Sequence, residues 1–293
     1  MFILRVAAAS FFLVMAAYPV GAVPSLPTTV QVPSQEVSLT APSSPGFAQA
    51  LSKVPVSTSA ADVTTLLPFS VVITNNTEHE VILYSVAWVF EDASGKMTRR
   101  TATWFNLATF HDGDALPAHA SRLVSEVYRL GMPLGPQSEL IKSSSVELNA
   151  FYAKQSTLTV SLDVVIFDDG RVIGPDLGNH SNFAKAHINA ERDFGDEITL
   201  LWKKGTTQSD LMESLRTARA AALGLLPPSG SGRTPSKSQL YSAARRAVDY
   251  DKAYALLRAY FASRYLEIAG RTSVDVVAQQ VSQSVKKFPV LHR

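Results

Sequence analysis

A chain of 293 residues with 46% apolar and 18% charged side chains and a mean hydropathy of +0.08 can bury a substantial core in one or two ordered domains, which excludes a disordered or fibrous polypeptide. The 27 basic and 25 acidic residues leave a net charge of only +2, too small a field for the whole chain to attract nucleic acid or membrane. The absence of cysteine excludes a disulfide framework, a thiol nucleophile, an iron–sulfur cluster, Cys-ligated zinc and a bacterial lipoprotein anchor.

Residues 1–22 read as a signal peptide. Arg5 precedes the apolar run Val6 to Ala17, and Val20-Gly21-Ala22 supplies the small side chains of a cleavage site before Val23. The run is about 12 residues long, against the roughly 20 needed to cross a bilayer core, so export is expected, to the periplasm or the extracellular space, with no membrane span after cleavage. Residues 23–62 are rich in Pro, Ser, Thr, Val and Ala and carry only Glu36, Lys53 and Asp62 as charges; this composition reads as a linker. Short pieces such as Thr28 to Val32 or Glu36 to Thr40 could instead add to a sheet edge.

From residue 63 to 175 the apolar period is two. Phe69, Val71 and Ile73 alternate ahead of Asn75-Asn76-Thr77, and Ile82, Tyr84, Val86, Trp88 and Phe90 run into Asp92-Ala93-Ser94-Gly95. Further strand-like runs are Met97 to Trp104, Ser121 to Tyr128, Ser145 to Tyr152 and Leu158 to Phe167, the last with Leu158, Val160, Leu162, Val164 and Ile166 on one face before the Asp169-Gly170 turn. Strands with turns between them and no helical pattern predict an antiparallel β-sandwich.

The succession Ile73-Thr74-Asn75-Asn76-Thr77, Val86-Ala87-Trp88-Val89-Phe90, Asp92-Ala93-Ser94-Gly95-Lys96 and Leu116-Pro117-Ala118 resembles bacterial secreted immunoglobulin-like modules of the FxLYD and fibronectin type III kind. The resemblance spans about 60 residues and rests mostly on turn chemistry. It implies adhesion or envelope scaffolding and brings no catalytic residues with it.

Residues 176–293 switch to a helical period. Phe183, His187, Ala190, Phe194, Ile198 and Leu201 form one stripe that stops at Gly205; Thr207-x-x-Asp210 opens a second helix, Ser236-x-x-Gln239 a third running to Gly270, and Thr272-x-x-Asp275 a fourth. The expected fold class is therefore α+β, an N-terminal antiparallel immunoglobulin-like β-sandwich followed by a C-terminal region of about four helices. Charge divides along the chain: residues 1–202 hold 12 basic and 19 acidic side chains, residues 203–293 hold 15 and 6. A cationic helical surface, with Arg245, Arg246, Lys252, Arg258 and Arg264, either complements the acidic sandwich or meets an anionic partner.

Chemistry-bearing patterns are sparse. There is no Gly-x-Ser-x-Gly elbow, no phosphate loop and no second histidine to join His79-Glu80 in a zinc helix. Ser284-x-x-Lys287 lacks the companion motifs of penicillin-binding proteins. His111-Asp112-Gly113-Asp114, and Asp168-Asp169-Gly170 with Asp176, offer cation ligands but read better as turns. His180 and His187 share a helix face that Glu191 could complete, yet His187 lies on the apolar stripe and reads as a core histidine. Trp88 and Trp104 could stack sugars, although Trp88 alternates with the core.

No catalytic, cofactor-binding or metal-ligating residue is thus assigned and no cofactor is expected. Two function classes follow. The first is a non-catalytic exported envelope protein that binds or scaffolds, with an envelope protein or an anionic polymer as partner and no nucleic acid. The alternative is an exported hydrolase whose site is assembled from distant residues, such as His111 or His187 with Asp or Glu. Expression in a secreting bacterial host should yield an intact mass lacking Met1 to Ala22; a secreted species that retains them would overturn the export reading.

Overall fold

The computed structural model describes residues 26–55, 66–105, 115–126, 138–226, 234–285 and 289–293. Residues 1–22, read above as a signal peptide, and the His111–Asp114 cluster lie outside them. Among the described residues the protein is mixed α and β, with two open sheets and seven α-helices.

One sheet runs β2 (Val37–Thr40), β3 (Ser70–Asn75), β6 (Ser121–Ser125), all antiparallel. The other runs β1 (Thr28–Gln31), β7 (Gln155–Phe167), β4 (Val81–Asp92), β5 (Met97–Phe105), with β8 (Val172–Ile173) also on β7. The alternating residues of β3 and β4 meet as the period of two requires: Val71 and Ile73 from one sheet and Tyr84, Val86, Trp88 and Phe90 from the other share a single buried core. Turn chemistry fixes the ends of these strands. Asn75 is fully buried, and its amide group donates to the carbonyls of His79 at 2.7 Å and Pro117 at 3.0 Å. Asp92 Oδ1 accepts from the amides of Ser94 and Lys96 around Gly95, whose φ of 80° only glycine adopts without strain.

Four expectations need correction. The stretch taken for a linker contributes strands β1 and β2 and a short helix α1 (Phe47–Ser52), so the edge-strand reading describes it. β1 pairs in parallel with β7, Thr28 opposite Leu158, while β2 pairs with β3. Second, Ser145 to Tyr152 is not a strand but the end of helix α2 (Ser138–Tyr152). Leu148 and Tyr152, four residues apart, are buried on one helix face while Val146 is exposed, a distribution that a short apolar run cannot distinguish from a strand. Tyr152 packs edge-on against Phe69 and Phe90, and its hydroxyl donates to Glu126 at 3.1 Å. Arg100 pairs with the same carboxylate and lies 3.9 Å over the Phe151 ring.

Third, the apolar residues of β7 do not share one face. Ser85 pairs with Val164 and Val86 with Leu162, so Asp163 is an extra residue with none opposite it on β4. This β-bulge reverses the parity of the strand. Leu158, Val160 and Leu162 enter the inter-sheet core and Val165 and Phe167 follow them there, whereas Val164 and Ile166 turn to the opposite face. There they join Leu83 and Val172 under Ala184 and Ile188 of helix α3 (His180–Lys203).

Helix α3 is accordingly buried on two sides. Its Phe183, Ala190, Phe194 and Ile198 form a second core with α4 (Gln208–Ala220), α5 (Lys237–Arg246), α6 (Tyr250–Ala269) and α7 (Val274–Val285). Gly205 stops α3 at a φ of 73°, Thr207 caps α4, and Ser236 with Gln239 forms a full capping box on α5. Fourth, the single helix read through Leu240 to Gly270 is two, because Asp249 accepts the Lys252 amide and starts α6 afresh. No described helix is long and apolar enough to cross a membrane.

Trp88 is 1% exposed at the centre of the inter-sheet core. Trp88→Ala should cost about 3–5 kcal/mol, because two sheets cannot close over so large a cavity; chemical denaturation measures it, and a loss below about 1 kcal/mol would place the ring at the surface.

Candidate functional site

A set of buried polar groups is built on the β7 bulge, where the chain leaves the sheet for α3. Asp163 is 1% exposed. Its Oδ1 accepts from the Leu177 amide at 2.9 Å and pairs with an Arg99 guanidinium nitrogen at 2.8 Å; its Oδ2 accepts from the Gly178 amide at 2.8 Å. Its backbone carbonyl takes the Asp176 amide at 2.7 Å. Two glycines make this approach possible. A Cβ on Gly174, whose φ is 105°, would lie 2.5 Å from the Asp163 carbonyl oxygen, and one on Gly178 would lie 2.3 Å from His180 Nε2. Asp176 then caps α3, its carboxylate accepting from the amides of His180 at 2.7 Å and Ser181 at 3.1 Å, where the helix dipole favours negative charge. Arg293 approaches the same carboxylate at 3.6 Å.

His180 closes the cluster. Its Nε2 is 3.3 Å from Thr103 Oγ1 and 3.9 Å from Asp163 Oδ2, and Thr103 in turn meets Ser85 Oγ at 3.0 Å. Burial lowers the imidazole pKa, against the raising effect of Asp163 and Asp176. A hydroxyl, an imidazole and a carboxylate are therefore adjacent. Nucleophilic catalysis needs the hydroxyl on one ring nitrogen and the carboxylate on the other; here both face Nε2. The groups instead position the start of α3.

His187, two turns along α3, does not join His180. It is 1% exposed among the rings of Phe183, Tyr241 and Phe261, with centroids 6.1, 6.1 and 5.1 Å away. Its Nδ1 is 3.9 Å from Glu191 Oε2, beyond hydrogen-bond reach, and has no other partner. The two histidines and Glu191 thus form no common ligand set, and the core reading describes His187. Burial, reinforced by the Arg264 charge, pushes its pKa down to about 3.

Asp176 is likewise separated in role from Asp168 and Asp169. The partner those two meet is His79, with Nδ1 3.0 Å from Asp168 Oδ1 and Nε2 3.5 Å from Asp169 Oδ2. One ligand atom from each of the three lies within 4.8 Å of the others, while Arg171 holds Asp169 Oδ2 at 2.7 Å and also pairs with Glu36. The trio ties the β3–β4 turn to the β7–β8 turn. Sequence reasoning weighed His79 only beside Glu80 and missed its pairing with Asp168 and Asp169, because these acidic partners lie on another hairpin. Arg99 was missed too, although Arg99-Arg100 on a strand must point to opposite faces and so find separate partners.

No family model, curated protein or solved structure matches the chain. Charge pairing offers an independent clue. Arg258 of α6 pairs with Glu197 of α3 at 2.6 Å, inside the helical core unit and not with the sheets. The division of charge at residue 202 separates α3, with its acidic residues, from the helices it packs against.

The acid stability of the fold should report on His187. The folded state holds this group neutral down to about pH 3, while the unfolded chain takes up its proton near 6.5; stability is therefore lost as pH falls through that window, by roughly 2–3 kcal/mol between pH 8 and pH 4.5. In His187→Phe, urea denaturation at the two pH values should show a loss smaller by about that amount; an unchanged loss would mean the imidazole is already charged in the fold.

Proposed function

We propose that the protein is a non-catalytic exported module that binds or scaffolds in the cell envelope. The observation that carries this reading is the saturation of Asp163. The buried Asp163 carboxylate is held by two loop amides and Arg99, and the adjacent histidine turns Nε2 toward Thr103 and Asp163.

Strand order supports the immunoglobulin-like part of the proposal. With β1 set aside as an additional parallel strand on β7, β2-β3-β6 facing β5-β4-β7-β8 is comparable to the three-against-four arrangement of a fibronectin type III kind of sandwich. Such folds present ligands with loops and edges on a rigid scaffold. Export and an envelope location rest on the signal segment and on the resemblance.

The test combines sedimentation and turnover. The full mature chain, mixed with insoluble envelope polymer at low salt, should co-sediment saturably and show no turnover of nitrophenyl ester, phosphate or glycoside substrates. Absence of binding would remove the binding half of the proposal. Turnover that His180→Ala abolishes would establish the hydrolase instead.

A further inference from the structure

The helical unit carries a cleft of about 500 Å³ between α4, the start of α5 and the second half of α6, within the size range of small-ligand sites. Three cations line it, Arg216, Arg219 and Lys237, against one carboxylate, Glu267. Arg216 is engaged by Glu213 at 3.3 Å and Lys237 by Glu267. Arg219 differs from both. Among the described residues its one hydrogen bond runs from Nη2 to the Pro235 carbonyl at 3.1 Å, and its Nε is buried with no partner. A guanidinium wants acceptors in its plane, and carboxylates and phosphoryl groups match its fork.

The surrounding groups favour an anion with a non-polar body. Ser236 Oγ caps the Gln239 amide and its carbonyl takes the Leu240 amide, which leaves the first amides of α5, at Lys237 and Ser238, without an intrahelical acceptor at the positive end of the helix. Met212 and Leu266 supply apolar wall. We infer that this cleft binds the phosphoryl group of an organic phosphate, with Arg219 as the planar fork, Lys237 as a second charge, and the carbon skeleton against Met212 and Leu266. The phosphoryl group can belong to a soluble glycerol phosphate or to a phospholipid headgroup. This deepens the binding-module reading by naming a ligand class.

Titration calorimetry of the full chain at low salt tests it, with glycerol 3-phosphate as probe and glycerol as the uncharged control. Saturable binding of the phosphate alone is expected. Arg219→Gln should weaken it tenfold or more, Arg219→Lys less, because the charge stays while the fork is lost, and Lys237→Gln several-fold. Lys252→Gln, about 16 Å along α6 from Ser263 at 1.5 Å per residue, should change it less than twofold. Far-ultraviolet dichroism of each variant checks folding, and Arg219→Lys with Lys237→Gln keeps the test open if Arg219→Gln unfolds. A parallel arm with phosphatidylglycerol vesicles distinguishes the source: a stronger, Arg219-dependent response there assigns the headgroup. No saturable phosphate binding in either arm, or binding that all three cleft variants leave within twofold, overturns the inference. Envelope co-sedimentation that survives Arg219→Gln would reject the cleft while leaving the binding module standing.

Discussion

One extra residue in one strand organises this molecule. Without the bulge at Asp163, the period of two would carry Val164 and Ile166 into the inter-sheet core and turn Val165 and Phe167 toward the helices. The bulge also leaves a carboxylate buried where the sheet would otherwise present an apolar side chain. Burying that charge is tolerable only because two amides and a guanidinium meet it. The loop from Gly174 to Asn179 is thereby drawn onto the sheet, and the direction in which α3 departs is set by the same carboxylate that stabilises the bulge.

Helix α3 then serves two cores at once. Ala184 and Ile188 cover the outer face of the sheet, while Phe183, Phe194 and Ile198 face the other helices. A helix apolar on two sides has little surface left for polar groups, and His187 shows the result: an imidazole enclosed by aromatic rings, kept neutral by its surroundings. Packing of this kind makes the sheets and helices mechanically dependent on one residue row, so the acidic residues of α3 balance its own helical neighbours.

Much of the fold was legible because the relevant signals are local. The alternation in β3 and β4, the stop at Gly205 and the box at Ser236 and Gln239 each depend on residues a few positions apart. What was not legible depends on partners far along the chain. The parity change at Asp163 needs knowledge of which residue on β4 stands opposite; the strand character of Thr28–Gln31 exists only because β7 offers it an edge; and α2 hid within an apolar run too short to show its period. The same holds for the polar sites. His180 was read from its helix spacing and paired with His187, whereas its neighbours are Thr103 and Asp163 on two strands. The cleft at Arg219 was reached only as a general excess of cations, since its walls come from three helices.

The outer edge of β7 has a kinetic consequence. It is covered by β1, by β8 and, beyond the hairpin, by residues 289–293, whose His292 exchanges backbone hydrogen bonds with Gly170 and Val172. Glu36 and Arg171, which lock the same corner, are 135 positions apart. Loops of that length close slowly, so the β1 part of this edge, unlike the locally joined β8, is expected to be finished after the rest of the sheet. During the interval a long apolar strand displays open ladder groups, and a second nascent chain offers the same edge. Crowding of newly made copies, rather than any weakness of the finished fold, is where this design is most exposed to misassembly.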